Sequence, residues 1–169
     1  MEEMRRSKRQ MEQGAIKELI EAQHVLRIGL IDKTFPYVVP VNYGYSWQAD
    51  QLIFYIHGAL VGKKVSLIEK NPHVCVEIDG KHALIETGKR AEGYSFAYES
   101  FIGYGKAEIV TNATEKLHGL ALLMQHETGK ALTEFDPIPE KMVERTGIIK
   151  IVISEFSGKH HQLPEKSEG

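Results

Sequence analysis

The chain predicts a small antiparallel β-barrel or sandwich with a few peripheral helices, and three observations carry that expectation. About six runs of β-branched and aromatic residues are separated by polar turns. The helical stretches are few and scattered, without the regular strand and helix alternation of a doubly wound sheet. No G-x-G-x-x-G stands at a strand-to-helix corner, which argues against a Rossmann dinucleotide site.

Taken in order, residues 10–23 place Met11, Ile16, Leu19, Ile20 and Ala22 at helical spacing with Glu12, Lys17, Glu18 and Glu21 outward, an amphipathic helix expected to pack on the barrel. Residues 24–31 read as a strand, and Asp32-Lys33-Thr34 turns it into a second one over 35–45. Pro36 and Pro40 limit ladder pairing there, so this strand belongs at an edge, a bulge or a ligand-facing break. A polar turn, 46–51, leads to a third strand, 52–57, and the two runs form a hairpin. From Leu60 the apolar spacing turns helical until Asn71-Pro72. A strand over 73–79 follows, then a turn or mobile loop around Gly88, Lys89, Arg90 and Gly93. Gly103 and Gly105 interrupt the long strand 98–110, as at a bulge or a close approach. A helix over 114–128, with Leu117, Leu120, Ala121 and Met124 inward and Gly129 closing it, precedes a proline-containing connection and a last strand, 147–156.

With 169 residues, 42% hydrophobic and 26% charged, the composition is that of a globular protein with a sizeable core. One domain is expected, 1–169, with flexible tails at 1–10 and 160–169. Lys and Arg number 21 against 23 Asp and Glu, so the formal charge of -2 gives no general pull toward nucleic acid or membrane. A small molecule is the better partner. The basic cluster Arg5, Arg6, Lys8 and Arg9 reads as a frayed terminus of mixed charge. Cys75 is the single cysteine, so no intrachain disulfide framework exists; within an apolar strand it reads as a buried structural thiol in a reducing compartment. The charged N-terminus lacks the apolar core of a leader, and no run approaches the roughly 18 apolar residues of a membrane span. A cytoplasmic location is expected.

Chemistry concentrates at the corner His57-Gly58-Ala59. Glycine lets a ligand approach backbone, a following helix N-terminus presents unpaired N–H groups, and Lys63 and Lys64 add positive charge, which together suit a phosphate. Side chains of adjacent helix residues point about 100° apart, so the two lysines do not serve equally, and Lys63 is the favoured one. The string Gly58-x-x-x-Gly62-Lys63-Lys64 is one residue short of a P-loop and has a lysine where the magnesium-binding hydroxyl belongs, so nucleotide triphosphate hydrolysis is rejected. There is no G-x-S-x-G elbow, and no H-E-x-x-H or Cys-His spacing. No metal site is expected; His118 and His126 read as solvated helix histidines, and His160-His161 as tail.

Four blocks in order, PYVVPVNYGY, FYIHGALVGKK, EKNPHVCVEI and SFIGYGKAEIV, resemble the flavin-binding split-barrel proteins related to pyridoxamine phosphate oxidase, the closest branch being the Nim-type nitroimidazole-resistance subgroup. The resemblance spans about residues 16–159. It implies a six-stranded antiparallel split β-barrel that binds FMN as a homodimer, the flavin lying in the cleft between subunits. It carries cofactor contacts onto Val38, Val39, Pro40, Val41 and Asn42, whose edge backbone faces the ring, onto His57, Gly58 and Ala59, onto Lys63 and Lys64 for the phosphate, and onto Ser100 and Ile102. His57 lies beside the flavin by this likeness, as cofactor contact or as catalytic residue.

The leading expectation is therefore an FMN-dependent oxidoreductase, with nitroimidazole or nitroaromatic reduction as one outcome. The rival is a non-catalytic module, the same barrel holding flavin or haem as sensor or store. The spectrum of the purified protein separates the two.

Overall fold

The computed structural model describes residues 7–163. Seven strands form one antiparallel sheet: β1 (Leu26–Asp32), β2 (Phe35–Val41), β3 (Gly44–Gln48), β4 (Gln51–Gly58), β5 (His73–Ile85), β6 (Ser95–Val110) and β7 (Gly147–His161). The spatial order is β2-β1-β5-β6-β7-β4-β3. Four helices accompany it, α1 (Gln13–Ala22), α2 (Lys63–Lys70), α3 (Ala113–Thr128) and α4 (Glu140–Arg145).

The order places β2 and β3 at opposite edges of the sheet, yet only Asn42 and Tyr43 join them. A link this short spans at most about 10 Å, so the two edges must meet at that end and the sheet must curl nearly into a cylinder. No ladder joins β2 to β3, and the cylinder stays open along that seam. This is a split barrel.

Seven strands stand where six were expected, because the run over 35–45 is broken in two. The break is made by long-range polar contacts. The Tyr43 hydroxyl is buried 2.7 Å from the carbonyl oxygens of both Ile20 and Gln23, and Asn42 Nδ2 donates to the His24 carbonyl at 2.9 Å. These bonds tie the link to the end of α1. Pro36 and Pro40 sit on β2, paired on one side only, with Ile31 and Arg27. An edge is where prolines are tolerated.

Strand alternation fills the barrel: Leu26, Ile28 and Leu30 of β1, Phe54 and Ile56 of β4, Val76 and Ile78 of β5, Phe101 of β6 and Ile151 of β7 are buried together with Ile16, Leu19 and Ile20 of α1. Thus α1 packs on the barrel core as its spacing predicts. β6 bulges against β7 between Tyr104 and Gly105, and a Cβ at Gly105 would collide with the Val152 carbonyl. The expected interruption at the glycines is this bulge.

α3 covers the outer face of β3 and β4, but with a different stripe from the one expected. Lys116, Gly119 and Leu123 are its buried residues, whereas Leu117 is exposed. The reason is close approach: a Cβ at Gly119 would stand 2.9 Å from Tyr55 Cδ1, and one at Gly44 would meet the α3 backbone at Leu122 and Leu123. Two glycines set how closely the helix sits, and Leu120 of the expected stripe packs there with Tyr55, Val110, Leu123 and Ile148. Asn112 caps α3 by accepting from the Glu115 N–H at 3.0 Å, and Gly129, at φ 71°, ends it.

Of the expected tails at 1–10 and 160–169, residues 1–6 and 164–169 lie outside the described residues, and pairing is seen within the rest. Gln10 bridges to Lys159, and His160 and His161 belong to β7, opposite Glu99 and Tyr98. Lys8 and Arg9 lie in a short 3-10 turn, while Arg5 and Arg6 of the basic cluster lie outside the described residues. Among the described residues no helix is long and apolar enough to cross a membrane.

Candidate functional site

β4 ends on His57-Gly58, and after four intervening residues α2 starts at Lys63. Gly62 precedes it at φ 146°, a conformation open to glycine, and offers no side chain to cap the helix. The first bond into α2 runs from the Ser66 N–H to the Gly62 carbonyl at 3.0 Å, so the N–H groups of residues 63–65 have no helical acceptor. An uncapped helix start therefore faces the end of β4.

The two lysines there behave differently. Lys63 is exposed and turns to the β1–β2 hairpin, where its Nζ lies 2.8 Å from Asp32 Oδ2 and 4.5 Å from the Tyr37 ring centroid. The hydrogen bond holds the Asp32 carboxyl below its usual range and Lys63 above its own. Lys64 turns toward β4 and is half-buried, its Nζ 3.7 Å from where a Cβ on Gly58 would stand. Among the described residues it has no carboxylate partner, and burial pushes its ammonium below the ordinary lysine range. A half-buried, unpaired cation beside free N–H groups is an arrangement that an anion would complete.

His57 is exposed at the end of β4, across from Ile148 of β7 and without a hydrogen-bond partner among the described residues. Ala59 is exposed in the corner loop. Val38 to Val41 lie on the β2 edge, whose outer side presents unpaired backbone groups. Their side chains alternate: Val39 and Val41 pack on the core, while Val38 and Pro40 are exposed on the opposite face. Asn42 is committed to the His24 carbonyl.

Ser100 and Ile102 lie elsewhere. They sit on β6, three strands from β2, and so about 14 Å away across the sheet. The Ser100 hydroxyl donates to the Lys159 carbonyl at 3.2 Å, and Ile102 is exposed. One chain thus gathers His57, Gly58, Ala59 and Lys64 at one corner, joins them through Lys63 to β2, and leaves Ser100 and Ile102 apart.

Sequence reading did not find the groove on the outer face of β2, β1, β5, β6 and β7, of about 960 Å³ and lined by Arg27, Val38, Cys75, Glu77, Tyr104 and Glu155 among others. Alternation places these residues outward but cannot show that the curved sheet makes a hollow of them. Cys75 belongs to this wall: it is half-buried, not a core thiol, and burial raises its pKa. Burial, then repulsion from Asp79, pushes Glu77 above the ordinary carboxylate range against the pull of Arg27, which lies 3.0 Å from it. His126 also differs from expectation. It is half-buried, 4.6 Å from the Tyr43 ring, and burial lowers its pKa; His118 alone of the pair is exposed.

An open-seamed barrel with a cationic helix corner on one side of the seam defines a split-barrel protein. The chain belongs to the pyridoxamine 5'-phosphate oxidase family, whose description matches residues 12–160. Among solved structures it is similar to a candidate 5-nitroimidazole antibiotic resistance protein from Bacteroides thetaiotaomicron, with 26% identity over 89% of this chain and 86% of that one and a TM-score of 0.75. The fold is shared with the flavocytochrome Anf3 from Azotobacter vinelandii (20% identity, 93% and 71% covered, TM-score 0.76). It is shared as well with an FAD and heme binding protein from Mycobacterium smegmatis (17% identity, 94% and 77% covered, TM-score 0.78). A search of curated proteins finds none that matches.

Proposed function

We propose that the protein binds FMN and serves as an FMN-dependent oxidoreductase acting on a small planar acceptor, nitroaromatic compounds being one candidate class. The single observation that carries this reading is Lys64: a half-buried ammonium without a carboxylate partner, set against Gly58 at the uncapped start of α2. A phosphate monoester supplies the missing charge, and the free N–H groups of residues 63–65 supply further donors. Lys63, already paired with Asp32, closes the near side of the corner. The β2 edge around Val38 to Val41 offers backbone donors and acceptors for the rim of a flat ring, and His57 stands between ring and phosphate as a positioning contact.

When bound, the flavin supplies reversible two-electron chemistry; the chain supplies orientation, electrostatics and exclusion of water. Ser100 and Ile102 are too far from β2 to serve the same ring in one chain, so they act from a second copy. The working unit is a homodimer with the flavin at the subunit interface. The outer face free of α3 carries Ile31, Val38, Ile102 and Tyr104, all exposed, an apolar surface suited to a two-fold partner.

The visible spectrum of the purified protein tests the reading. A flavin band that bleaches with NADH or NADPH and recovers with a nitroaromatic acceptor is the expected result. A Soret band in place of the flavin band would favour haem carriage, as in the flavocytochrome and the FAD and heme binding protein that share the fold. A protein that takes up neither FMN nor haem on reconstitution would contradict it.

A further inference from the structure

At the far end of the β1–β2 ribbon from Lys63, about 20 Å along the strands, three metal-ligating side chains converge that the cofactor corner does not use. His24 comes from the link between α1 and β1, and His126 and Glu127 from the last turn of α3. One nitrogen of each histidine and one carboxylate oxygen lie within 4.8 Å of one another. His24 Nδ1 is 3.5 Å from Glu127 Oε1, and the two imidazole rings are 5.2 Å apart.

The supports of these groups are those of a ligand set. A carbonyl oxygen can only accept, so His126 Nε2, 2.7 Å from the Gln23 oxygen, carries the proton and Nδ1 keeps the lone pair. This backbone bond fixes tautomer and ring orientation, as outer partners of metal-bound histidines do. Tyr43 packs against the ring and holds the same Gln23 carbonyl, while Asn42 holds the carbonyl of His24. The backbone under both histidines is therefore fixed, whereas the His24 and Glu127 side chains are exposed enough to move. Ligand atoms around a tetrahedral ion with metal–nitrogen distances of about 2.0–2.1 Å lie roughly 3.4 Å apart, so the set closes when the exposed His24 and Glu127 side chains rotate toward His126 Nδ1.

We propose that His24, His126 and Glu127 bind one divalent first-row transition ion of the zinc class, with one position open to water. Two imidazoles exclude calcium and magnesium as the preferred occupants, since those ions take oxygen ligands. Three protein ligands leave a fourth position unfilled, and the exposure of His24 and Glu127 lets solvent reach it. The ion also clasps the α1–β1 link to the end of α3, so it binds the folded chain in preference to the unfolded one.

The test is a titration of the chelator-treated full chain with Zn²⁺ against a chromophoric chelator, and with Co²⁺ to read its visible ligand-field band. One equivalent bound, an intense tetrahedral cobalt band and a rise in Tm with Zn²⁺ are expected. His24→Ala and Glu127→Gln alter exposed side chains and leave the barrel core intact; each should weaken binding at least about tenfold and abolish the Tm rise. The proposal is overturned if no equivalent is taken up, or if both variants bind as the parent does. It is equally overturned if the double variant of His160 and His161, rather than these two, loses the ion.

Discussion

Lys63 and Lys64 are chemically identical neighbours with opposite surroundings, and the difference decides what each does. Lys63 has Asp32; Lys64 has burial and no counter-charge among the described residues. Because the folded chain holds Lys64 below its ordinary value of 10.5, the unfolded chain binds that proton more tightly, and stability rises with pH between the folded value and 10.5. At neutral pH the charged amine therefore weakens the apo fold. Lys64→Met should raise apo stability at pH 7 and flatten the alkaline rise, measured as the difference between variant and parent in denaturant titrations across pH; an unchanged difference curve would place Lys64 in solvent. His57 gives a second prediction at this scale. An exposed imidazole without a fixed partner is suited to orient the ring, so His57→Ala should loosen FMN and leave the acceptor step nearly unchanged in rapid-mixing reoxidation. A loss of about 10² to 10⁴ in that step, with normal FMN affinity, would instead make it a general acid. That a cation and a histidine gather at this corner was legible in FYIHGALVGKK. Which lysine is free was not, since it depends on Asp32, thirty-one residues before Lys63 in the chain.

Elements were legible where the period is local and less so where distant contacts override it. The prolines of β2, the glycines of β6 and the glycine that ends α3 all declared themselves, because each acts through its own backbone. The division of 35–45 into β2 and β3 did not, since Asn42 and Gly44 stand apart and form no turn dipeptide; the Tyr43 hydroxyl, bound to the end of α1, makes the break. The seat of α3 was hidden for a related reason. A glycine inside a helix reads as a weakness of about 1 kcal/mol, and only the packed structure reveals Gly119 as the contact point. Two substitutions test this packing. Gly119→Ala gains helix propensity but presses on the Tyr55 ring, so it should cost about 1 kcal/mol in net stability. Gly44→Ala meets α3 backbone, which cannot step aside, and should cost about 3 kcal/mol. Denaturant midpoints check both, and equal tolerance of the two would mean that α3 sits farther from the sheet.

At the scale of the whole molecule, α3 covers the outer face at β3 and β4 and leaves that of β2, β1, β5 and β6 open, with Ile31 57% and Val38 56% exposed. In the homodimer proposed above, a second copy would cover this face and bring Ser100 and Ile102 to the ring proposed for β2 of the first copy. Light scattering on the FMN-loaded protein should report twice the chain mass, and a monomer that binds FMN tightly would remove the shared-interface site. This groove was beyond sequence reading, because strand alternation separates inside from outside without giving the curvature of the sheet. The account as a whole rests on a phosphate entering the Lys64 corner. The most direct measurement is paired titration of FMN and riboflavin against the parent, Lys63→Ala and Lys64→Ala. The parent should prefer FMN by at least about tenfold, Lys64→Ala should lose most of that preference while riboflavin affinity holds, and Lys63→Ala should lose less. Equal affinity of the parent for both ligands, or an equal loss of both on removing Lys64, would contradict it.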